Sequence, residues 1–194
     1  MNNDSALHYA TEHSNRIEQE PVKGLSFDNH LRAALLARTA AEVGQLLHPR
    51  VLHQLLYEGL PSDPRHTIVP GEYRDVDVYI MQGLGKEHHF PSFQQVPALM
   101  DALWGQLWSA QHYGSPSLKQ APVRWSFHAW FESIHPFQDG NGRVGRMLWW
   151  NLEMLMGTGI TVVAYEERDD YYDLLDAWRL LHGNNPSMNP FGSL

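Results

Sequence analysis

The segment HPFQDGNGRVGR, residues 135–146, restricts the fold of this chain more than any other stretch. It lies between two stretches whose apolar residues recur at helical spacing. Pro136 disfavours the helical conformation of the residue before it, so the first helix should end at His135. A second helix that begins near Arg143 would direct its free N–H groups and the positive end of its dipole into the Gly-Asn-Gly turn. The sequence therefore predicts two helices joined by a turn that suits a phosphate group.

The polar side chains of this segment indicate what such a site could do. Arg143 and Arg146 are three residues apart and would share a face of the second helix, where both could bind one polyphosphate. Asp139 is placed to hold Mg²⁺ against the same phosphates. A neutral imidazole at His135 could accept the proton of an incoming hydroxyl.

Two other interpretations of the glycine turn are weaker. The letters GNGRVG fit the G-x-G-x-x-G pattern of dinucleotide-binding folds, but that pattern must follow a strand, and here it follows the helical sequence VRWSFHAWFESI. A plain turn between helices with solvated arginines would explain the glycines. It would not explain a histidine, an aspartate, an asparagine and two arginines in one short segment.

The segment resembles the signature of the Fic family, His-x-Phe-x-Asp/Glu-Gly-Asn-Gly-Arg-x-x-Arg. Every fixed position is filled, by His135, Phe137, Asp139, Gly140, Asn141, Gly142, Arg143 and Arg146. The resemblance implies a mostly α-helical fold, a Fic-type helical bundle with a small β-hairpin flap. It also implies transfer of AMP from ATP to a Ser, Thr or Tyr hydroxyl of a target protein. The Doc branch, which phosphorylates, departs from the Gly-Asn-Gly-Arg part of the pattern, so AMP transfer is favoured over phosphoryl transfer.

The resemblance also implies a role for each residue of the signature. His135 is the expected general base, Asp139 the expected Mg²⁺ ligand and Phe137 a buried anchor of the loop. Tyr172 is expected beside the adenine, although core packing would explain a tyrosine there equally well. The phosphates of ATP are expected to bind at Gly140, Asn141, Gly142, Arg143 and Arg146, with Arg146 on the γ-phosphate.

A second motif lies near the N-terminus. Ser14 and Glu18 are four residues apart and would lie on one face of a helix. They resemble the inhibitory Ser/Thr-x-x-x-Glu-Gly/Asn motif of many Fic proteins, in which the glutamate pairs with the second signature arginine, here Arg146. Gln19 departs from the motif, because Gly or Asn would suit a left-handed residue that ends the helix. With Gln19 there, the helix is expected to continue until Pro21 stops it.

The N-terminal motif leaves alternatives open. Ser-x-x-x-Glu is common on surface helices and usually has no function. If Glu18 does enter the site, it could instead orient a water molecule that removes AMP from a modified target. The chain could also be a non-catalytic, nucleotide-sensing interaction module that Glu18 keeps shut, and transfer of another nucleotide or of phosphocholine is a further option.

A β-hairpin is predicted between Val76 and Phe90, with a turn at Gly83 and Gly85. The segment GEYR before it, residues 71–74, resembles the lead-in of the family's flap. Such a flap could bind an extended target segment by strand addition. The docking residues are then expected to be Val78, Tyr79, Ile80, His88 and His89. A purely structural hairpin is the alternative, and neighbouring histidines in a strand point to opposite faces, which disfavours a zinc site.

Composition restricts the class of protein. The chain has 194 residues, enough for one core, a net charge of −8 and no cysteine. The negative charge disfavours nucleic-acid binding. No signal peptide or apolar stretch long enough for a membrane span is evident, so a cytoplasmic protein with no membrane partner is expected. The predicted organisation is an inhibitory helical segment at 1–20 and a Fic domain at 21–194, and pairing with a second copy of the chain is possible.

Helical spacing and capping residues predict the remaining elements. The last helix should carry Leu174, Leu175, Trp178 and Leu181 on one side, and the tail from Gly183 should be irregular. Helices are expected near residues 4–20, 28–47, 49–58, 96–107, 123–135, 143–156 and 169–182.

Overall fold

A computed structural model of the chain describes residues 3–61, 68–82, 86–112 and 116–182. The described residues form seven α-helices and one two-stranded antiparallel sheet. In chain order the elements are α1 (Asn3–Ile17), α2 (Leu25–Glu42), α3 (Pro49–Leu56), β1 (Tyr79–Gln82), β2 (Lys86–His89), α4 (Val96–His112), α5 (Ala121–Ile134), α6 (Asn141–Leu155) and α7 (Arg168–His182). The predicted fold, mostly α with a small hairpin, is confirmed.

Helix α6 is the centre of the fold. It is buried from Val144 to Glu153 on every side, as expected for a helix surrounded by other helices. Helix α2 packs along it through the small side chains of Ala33, Ala34 and Ala37, and α5 packs on another side. The two helices that flank the signature turn, α5 and α6, are therefore fixed by the core.

Helix α2 begins and ends earlier than predicted. Gly24, not Asp28, stands at its N-cap, and the helix ends at Glu42 instead of near Leu47. Gly44 adopts a left-handed conformation with φ 77°. Its N–H donates to Ala41 O at 3.0 Å, and the next N–H donates to Ala40 O at 2.8 Å, which completes a Schellman motif that ends the helix.

Helix α7 buries a different set of residues from the one predicted. Tyr171, Leu175 and Trp178 are buried, whereas Leu174 and Leu181 are exposed. The buried residues follow the i, i+4, i+7 spacing of one helix face. The prediction for Leu174 and Leu181 was wrong because apolar composition alone did not identify which face meets α5.

The hairpin is shorter than predicted. Val76 and Val78 precede β1, and Tyr79 and Met81 pair with His89 and Glu87 of β2. The predicted turn at Gly83 and Gly85 and the predicted irregular tail lie outside the described residues. Within the described ranges no helix is both long enough and apolar enough to span a membrane.

Candidate active site

His135 occupies a strained position at the end of α5. The helix ends at Ile134, as Pro136 predicts, and His135 takes a left-handed conformation with φ 51°. Its N–H still donates to Phe131 O at 3.0 Å, and its ring stacks on Phe90 with 4.0 Å between ring centroids. A non-glycine residue in this conformation persists only where its surroundings hold it there.

Arg74 is the residue that holds this helix end. Its side chain is fully buried, and its Nε donates to His135 O at 2.8 Å. Its Nη1 donates to Val76 O at 2.9 Å, and its Nη2 donates to Pro91 O. A guanidinium at a helix C-terminus satisfies carbonyls that lack helical partners and opposes the negative end of the dipole. Arg74 thereby ties the end of α5 to both sides of the hairpin.

The environment keeps the His135 imidazole neutral. Burial lowers its pKa to about 3, and the positive charges of Arg179 and Arg74 act in the same direction. A neutral imidazole has a free lone pair and can accept a proton. The predicted role of His135 as a general base therefore agrees with its protonation state near pH 7.

Asn141 closes the signature loop with its side chain. Its Oδ1 accepts from Phe137 N at 2.8 Å, and its Nδ2 donates to Phe137 O at 2.8 Å. The Phe137 ring is fully buried and stacks on His53 at 4.0 Å, as a loop anchor would. Both polar atoms of the Asn141 amide are thus used within the loop, so only its backbone N–H, at the start of α6, remains for a phosphate cradle.

Asp139 lies at the edge of the turn with a side chain about half exposed, 47%. Its Oδ1 accepts from Gly140 N at 2.6 Å, and its Oδ2 lies 3.7 Å from Arg143 Nη2. Within the described parts of the chain no cluster of three or more His, Cys, Asp or Glu side chains could hold a metal ion. One accessible carboxylate still fits Mg²⁺, which usually takes one or two protein carboxylates and fills its other positions with phosphate oxygens and water.

The two signature arginines diverge. The Arg143 Nη2 donates to Tyr57 Oη at 3.0 Å and lies 3.3 Å from Glu20 Oε1. Arg146 lines a cavity and contacts α1 and α7. Among the described residues Arg143 is not part of the lining of that cavity, and binding of one polyphosphate by both arginines stays a prediction.

Arg146 is bound by the end of α1 and the segment that follows it. Its Nη2 donates to Glu18 Oε1 at 2.7 Å, and its Nε donates to Ser14 Oγ at 2.8 Å. The same Nη2 lies 3.2 Å from Ser14 O. Burial disfavours the charge, but Glu18 and then Tyr171 hold the pKa of Arg146 above its ordinary value. The two residues of the predicted N-terminal motif therefore both contact the predicted arginine.

Gln19 ends α1 in the way that Gly or Asn would. It has φ 58°, its N–H donates to Arg16 O at 3.1 Å, and Glu20 N donates to Asn15 O at 2.9 Å. This is a Schellman motif with a glutamine at its left-handed position. The expectation that the helix would continue to Pro21 was wrong, because tertiary contacts outweigh the local cost of this conformation. Asn15 supplies one of them, since its Oδ1 lies 2.6 Å from His30 Nδ1.

A cavity of about 460 Å³ opens between the signature, the hairpin and α7. Tyr172, expected beside the adenine, lines it and is 40% exposed, whereas Tyr171 lines the same cavity but is almost fully buried. Of the five predicted docking residues only Ile80 lines this cavity. His89 Nε2 instead contacts Glu87 Oε2 at 2.9 Å on the exposed side. The cavity residues include Glu18, His135, Gly142, Arg146, Phe90, Ile80, Met81, Glu132, Arg179 and three aspartates of α7.

Sequence reasoning missed the charged residues that α5 and α7 bring to this cavity, and two of them are buried, Glu132 and Arg179. The Arg179 Nη2 lies 3.4 Å from the backbone oxygen of Glu132. Glu132 could have been identified from the sequence, because it is an acidic residue within the apolar segment WFESI that leads to His135. A charged residue in a core-facing helix needs a partner or a function.

Comparison with known proteins decides the family. A model described as the Fic/DOC family matches residues 46–152, more than half of the chain. The chain belongs to the Fic/DOC family. The match includes the whole signature from His135 to Arg146.

Two relatives carry names that describe an activity. A protein of Aquifex aeolicus strain VF5, named "Probable protein adenylyltransferase", is 32% identical over 162 residues, which cover 81% of this chain and 47% of that protein. A "Protein adenylyltransferase Fic" of Culex quinquefasciatus is 32% identical over 123 residues, or 62% of this chain and 22% of that protein. The chain thus aligns with less than half the length of either relative.

The fold matches that of a solved Fic structure. A Fic domain containing signalling protein from Bacteroides thetaiotaomicron superposes with a TM-score of 0.80 at 21% identity, covering 95% of this chain and 76% of that one. This likeness bears on the fold alone, and it agrees with the predicted Fic-type helical bundle.

Proposed function

We propose that this Fic protein is a protein adenylyltransferase that moves AMP from ATP to a Ser, Thr or Tyr hydroxyl of a target protein, and that Glu18 inhibits it. The observation that carries the proposal is a neutral histidine and a buried arginine on the wall of one cavity of about 460 Å³. Names of relatives point to the same activity. The whole proposal requires that a triphosphate can replace the Glu18 carboxylate.

Different residues of the chain would bind different parts of ATP and its Mg²⁺ ion. Arg146 would bind the γ-phosphate through a planar, permanently charged group suited to phosphate oxygens. The first N–H groups of α6, those of Asn141 and Gly142, would bind the inner phosphates at the positive end of the helix, next to the turn at Gly140. Tyr172 on α7 would contact the base. Asp139 would hold Mg²⁺, which supplies positive charge against the phosphates.

His135 would act as the general base. Its neutral imidazole would accept the proton of the target hydroxyl while the hydroxyl oxygen forms a bond to the α-phosphorus. The bond between the α-phosphorus and the bridging oxygen of pyrophosphate then breaks, and the leaving group carries the released electron pair. A positioned general base of this type contributes ~10²–10⁴ in rate.

Inhibition would follow from competition for one guanidinium. The Glu18 carboxylate already occupies Arg146 Nη2 at 2.7 Å, and a phosphate oxygen would need the same donor. Two anions cannot share it without strong repulsion in a partly buried site. The protein with Glu18 in place is therefore expected to bind ATP weakly or in an unproductive position.

The target would approach along the hairpin. Tyr79 and Met81 of β1 are exposed, and an extended peptide could add to the sheet through backbone hydrogen bonds. Phe90, directly after β2, stacks on His135, so a peptide held on the hairpin would lie beside the base. Strand addition would present a hydroxyl with little dependence on target sequence.

The experiment is incubation of wild type, Glu18→Gly and Glu18→Gly/His135→Ala with α-labelled ATP, Mg²⁺ and lysate, followed by intact mass of each variant. Label should be low for wild type, strong for Glu18→Gly and absent when His135 is also removed. ATP binding to Glu18→Gly without any label on protein would overturn transfer and leave the nucleotide-sensing module.

A second candidate is the reverse reaction, because the Glu18 carboxylate itself lines the cavity and could orient a water molecule. Target protein labelled by Glu18→Gly is purified and returned to wild type. Release of AMP by wild type, and not by Glu18→Gly, would favour the hydrolase over the transferase.

A further inference from the structure

Glu132 is a buried acid on the wall of the nucleotide cavity. It lies on α5 three residues before His135, is 4% exposed and lines the cavity. Its Oε1 has no hydrogen-bond partner within the described part of the chain. Buried polar atoms are nearly always hydrogen-bonded. A buried oxygen without a partner is costlier on a carboxylate than on a neutral acid, so this position favours the protonated form of Glu132.

Gly145 leaves the space for this carboxyl group. A Cβ atom at Gly145 would lie 2.0 Å from Glu132 Oε1, so any larger residue would have to displace the acid. The carboxyl is therefore packed directly against α6, one residue before Arg146. This arrangement fixes Glu132 beside the guanidinium that would bind phosphate.

Burial and the charged residues nearby shift the pKa of Glu132 in opposite directions. Burial raises the pKa of Glu132 to about 7. Arg146 on α6 and Arg179 on α7 lower it, and Glu18 after α1 raises it. Burial thus favours the neutral acid, and the two arginines favour the carboxylate, while the site holds no nucleotide.

The remaining titratable groups around Glu132 do not change charge in the same range. On α7, Tyr171 has its pKa raised by burial and by the Glu132 carboxylate. On α5 and its end, burial holds the pKa of His128 and of His135 at about 3. Asp176 on α7 lines the same cavity but is paired with Arg179 at 2.8 Å.

We infer that Glu132 makes nucleotide binding proton-dependent: as a neutral acid it donates a hydrogen bond to a phosphate oxygen held by Arg146, and as a carboxylate it repels that phosphate. The inference rests on the proposed function, since it requires a triphosphate in this cavity. An incoming phosphate adds negative charge beside Glu132 and so favours its protonated form. Nucleotide and proton therefore bind together.

The experiment is calorimetric titration of ATP into Glu18→Gly and Glu18→Gly/Glu132→Gln from pH 6 to pH 8.5. Glutamine has the size of the neutral acid and donates a hydrogen bond at every pH. Because Glu18 raises the pKa of Glu132, the acid should ionise at a lower pH in Glu18→Gly than in wild type. The Kd of Glu18→Gly should rise with pH by up to about tenfold per unit. The Kd of the double variant should change only as far as the ionisation of ATP itself requires.

Glu18→Gly/Glu153→Gln is the matched control. Glu153 is equally buried, and burial raises its pKa as well, but it bonds Thr161 away from the cavity. This variant should keep the full pH dependence of Glu18→Gly. Loss of that dependence in the control would show a general effect of removing a buried acid and would overturn the inference.

Proton uptake gives a readout that does not depend on a Glu132 variant. Titrations of Glu18→Gly at pH 8 in buffers of different ionisation enthalpy should show uptake of about one proton per ATP bound. No uptake, or the same pH dependence with and without Glu132, overturns the inference and leaves the proposed function intact. No ATP binding at any pH would overturn the proposed function instead.

Discussion

A Cβ atom on Gly142 would lie 2.2 Å from Oε1 of Glu18, so the ion pair between Glu18 and Arg146 exists only because residue 142 has no side chain. Gly142 lies in α6 with an ordinary helical φ. Glycine is therefore needed at position 142 for the space that a missing side chain leaves, and not for its backbone freedom. In the proposed function the same space would let a phosphate approach the turn.

Gly142→Ala should expel the Glu18 carboxylate from its place. We expect a loss of about 1–3 kcal/mol in the free energy of unfolding, the usual range for overpacking. In a Glu18→Gly background the methyl group meets no carboxylate, and Arg146 Nη1, 3.1 Å from the Cβ position, must shift only slightly. Alanine should then cost far less, because its better helix propensity, by about 1 kcal/mol, offsets that contact. Denaturant unfolding of the four proteins measures this coupling, and purely additive effects would contradict the structural relationship.

Gln19→Gly should stabilise the protein and tighten inhibition. A glutamine with φ 58° carries a left-handed strain of roughly 1 kcal/mol that glycine does not. The temperature of thermal unfolding should rise accordingly, and self-modification with ATP should fall or stay at the wild-type level. Gln45→Gly, at an exposed residue without a positive φ, is the control and should not stabilise. A rise in activity with Gln19→Gly would argue against the Schellman motif as the support of Glu18.

His135 should not titrate between pH 5 and pH 8 in the free protein. Burial holds its pKa at about 3, below the value of about 6.5 in an unfolded chain. The unfolded state therefore binds more protons between these values, and His135 contributes to a loss of stability as the pH falls below about 6.5. Carbon-detected resonances of labelled histidine, with the signal absent from His135→Ala taken as His135, would test this. A midpoint near pH 6.5 would contradict it.

Arg74→Lys should disorder the end of α5 although the charge is kept. Lysine cannot reproduce the fork that reaches His135 O, Val76 O and Pro91 O. We expect a loss of about 2–4 kcal/mol, because buried carbonyls lose charged donors. Arg32→Lys is the control, since its pair with Glu58 is exposed and should change stability by less than about 0.5 kcal/mol. Equal, small losses in both variants would contradict the role given to Arg74.

The signature is where sequence reasoning worked best. Pro136 fixed the end of α5, the glycine turn indicated the start of α6, and Phe137 lies buried as expected. These features depend on neighbouring residues, whose conformational preferences are local. The contact between Glu18 and Arg146 was predicted from the family pattern. No local rule could predict it, because the two residues are more than a hundred positions apart.

What the sequence could not predict depends on distant partners. Arg143 contacts Tyr57 and Glu20, and neither residue is near it in the chain. Gln19 adopts a conformation that its own preference opposes, because Asn15 and the pair between Glu18 and Arg146 hold the segment. Helix propensity says nothing about such tertiary forces.

Ser14 has no exposed surface, and both its hydroxyl and its carbonyl accept hydrogen bonds from Arg146. Loss of Glu18 from the guanidinium would therefore leave α1 attached to the body of the protein. Under the proposed inhibition, opening of the site would need a change in one side chain and no departure of a helix, so rising nucleotide concentration alone would be enough to drive it. The same burial keeps the Ser14 hydroxyl out of reach of a modifying enzyme while the helix remains docked.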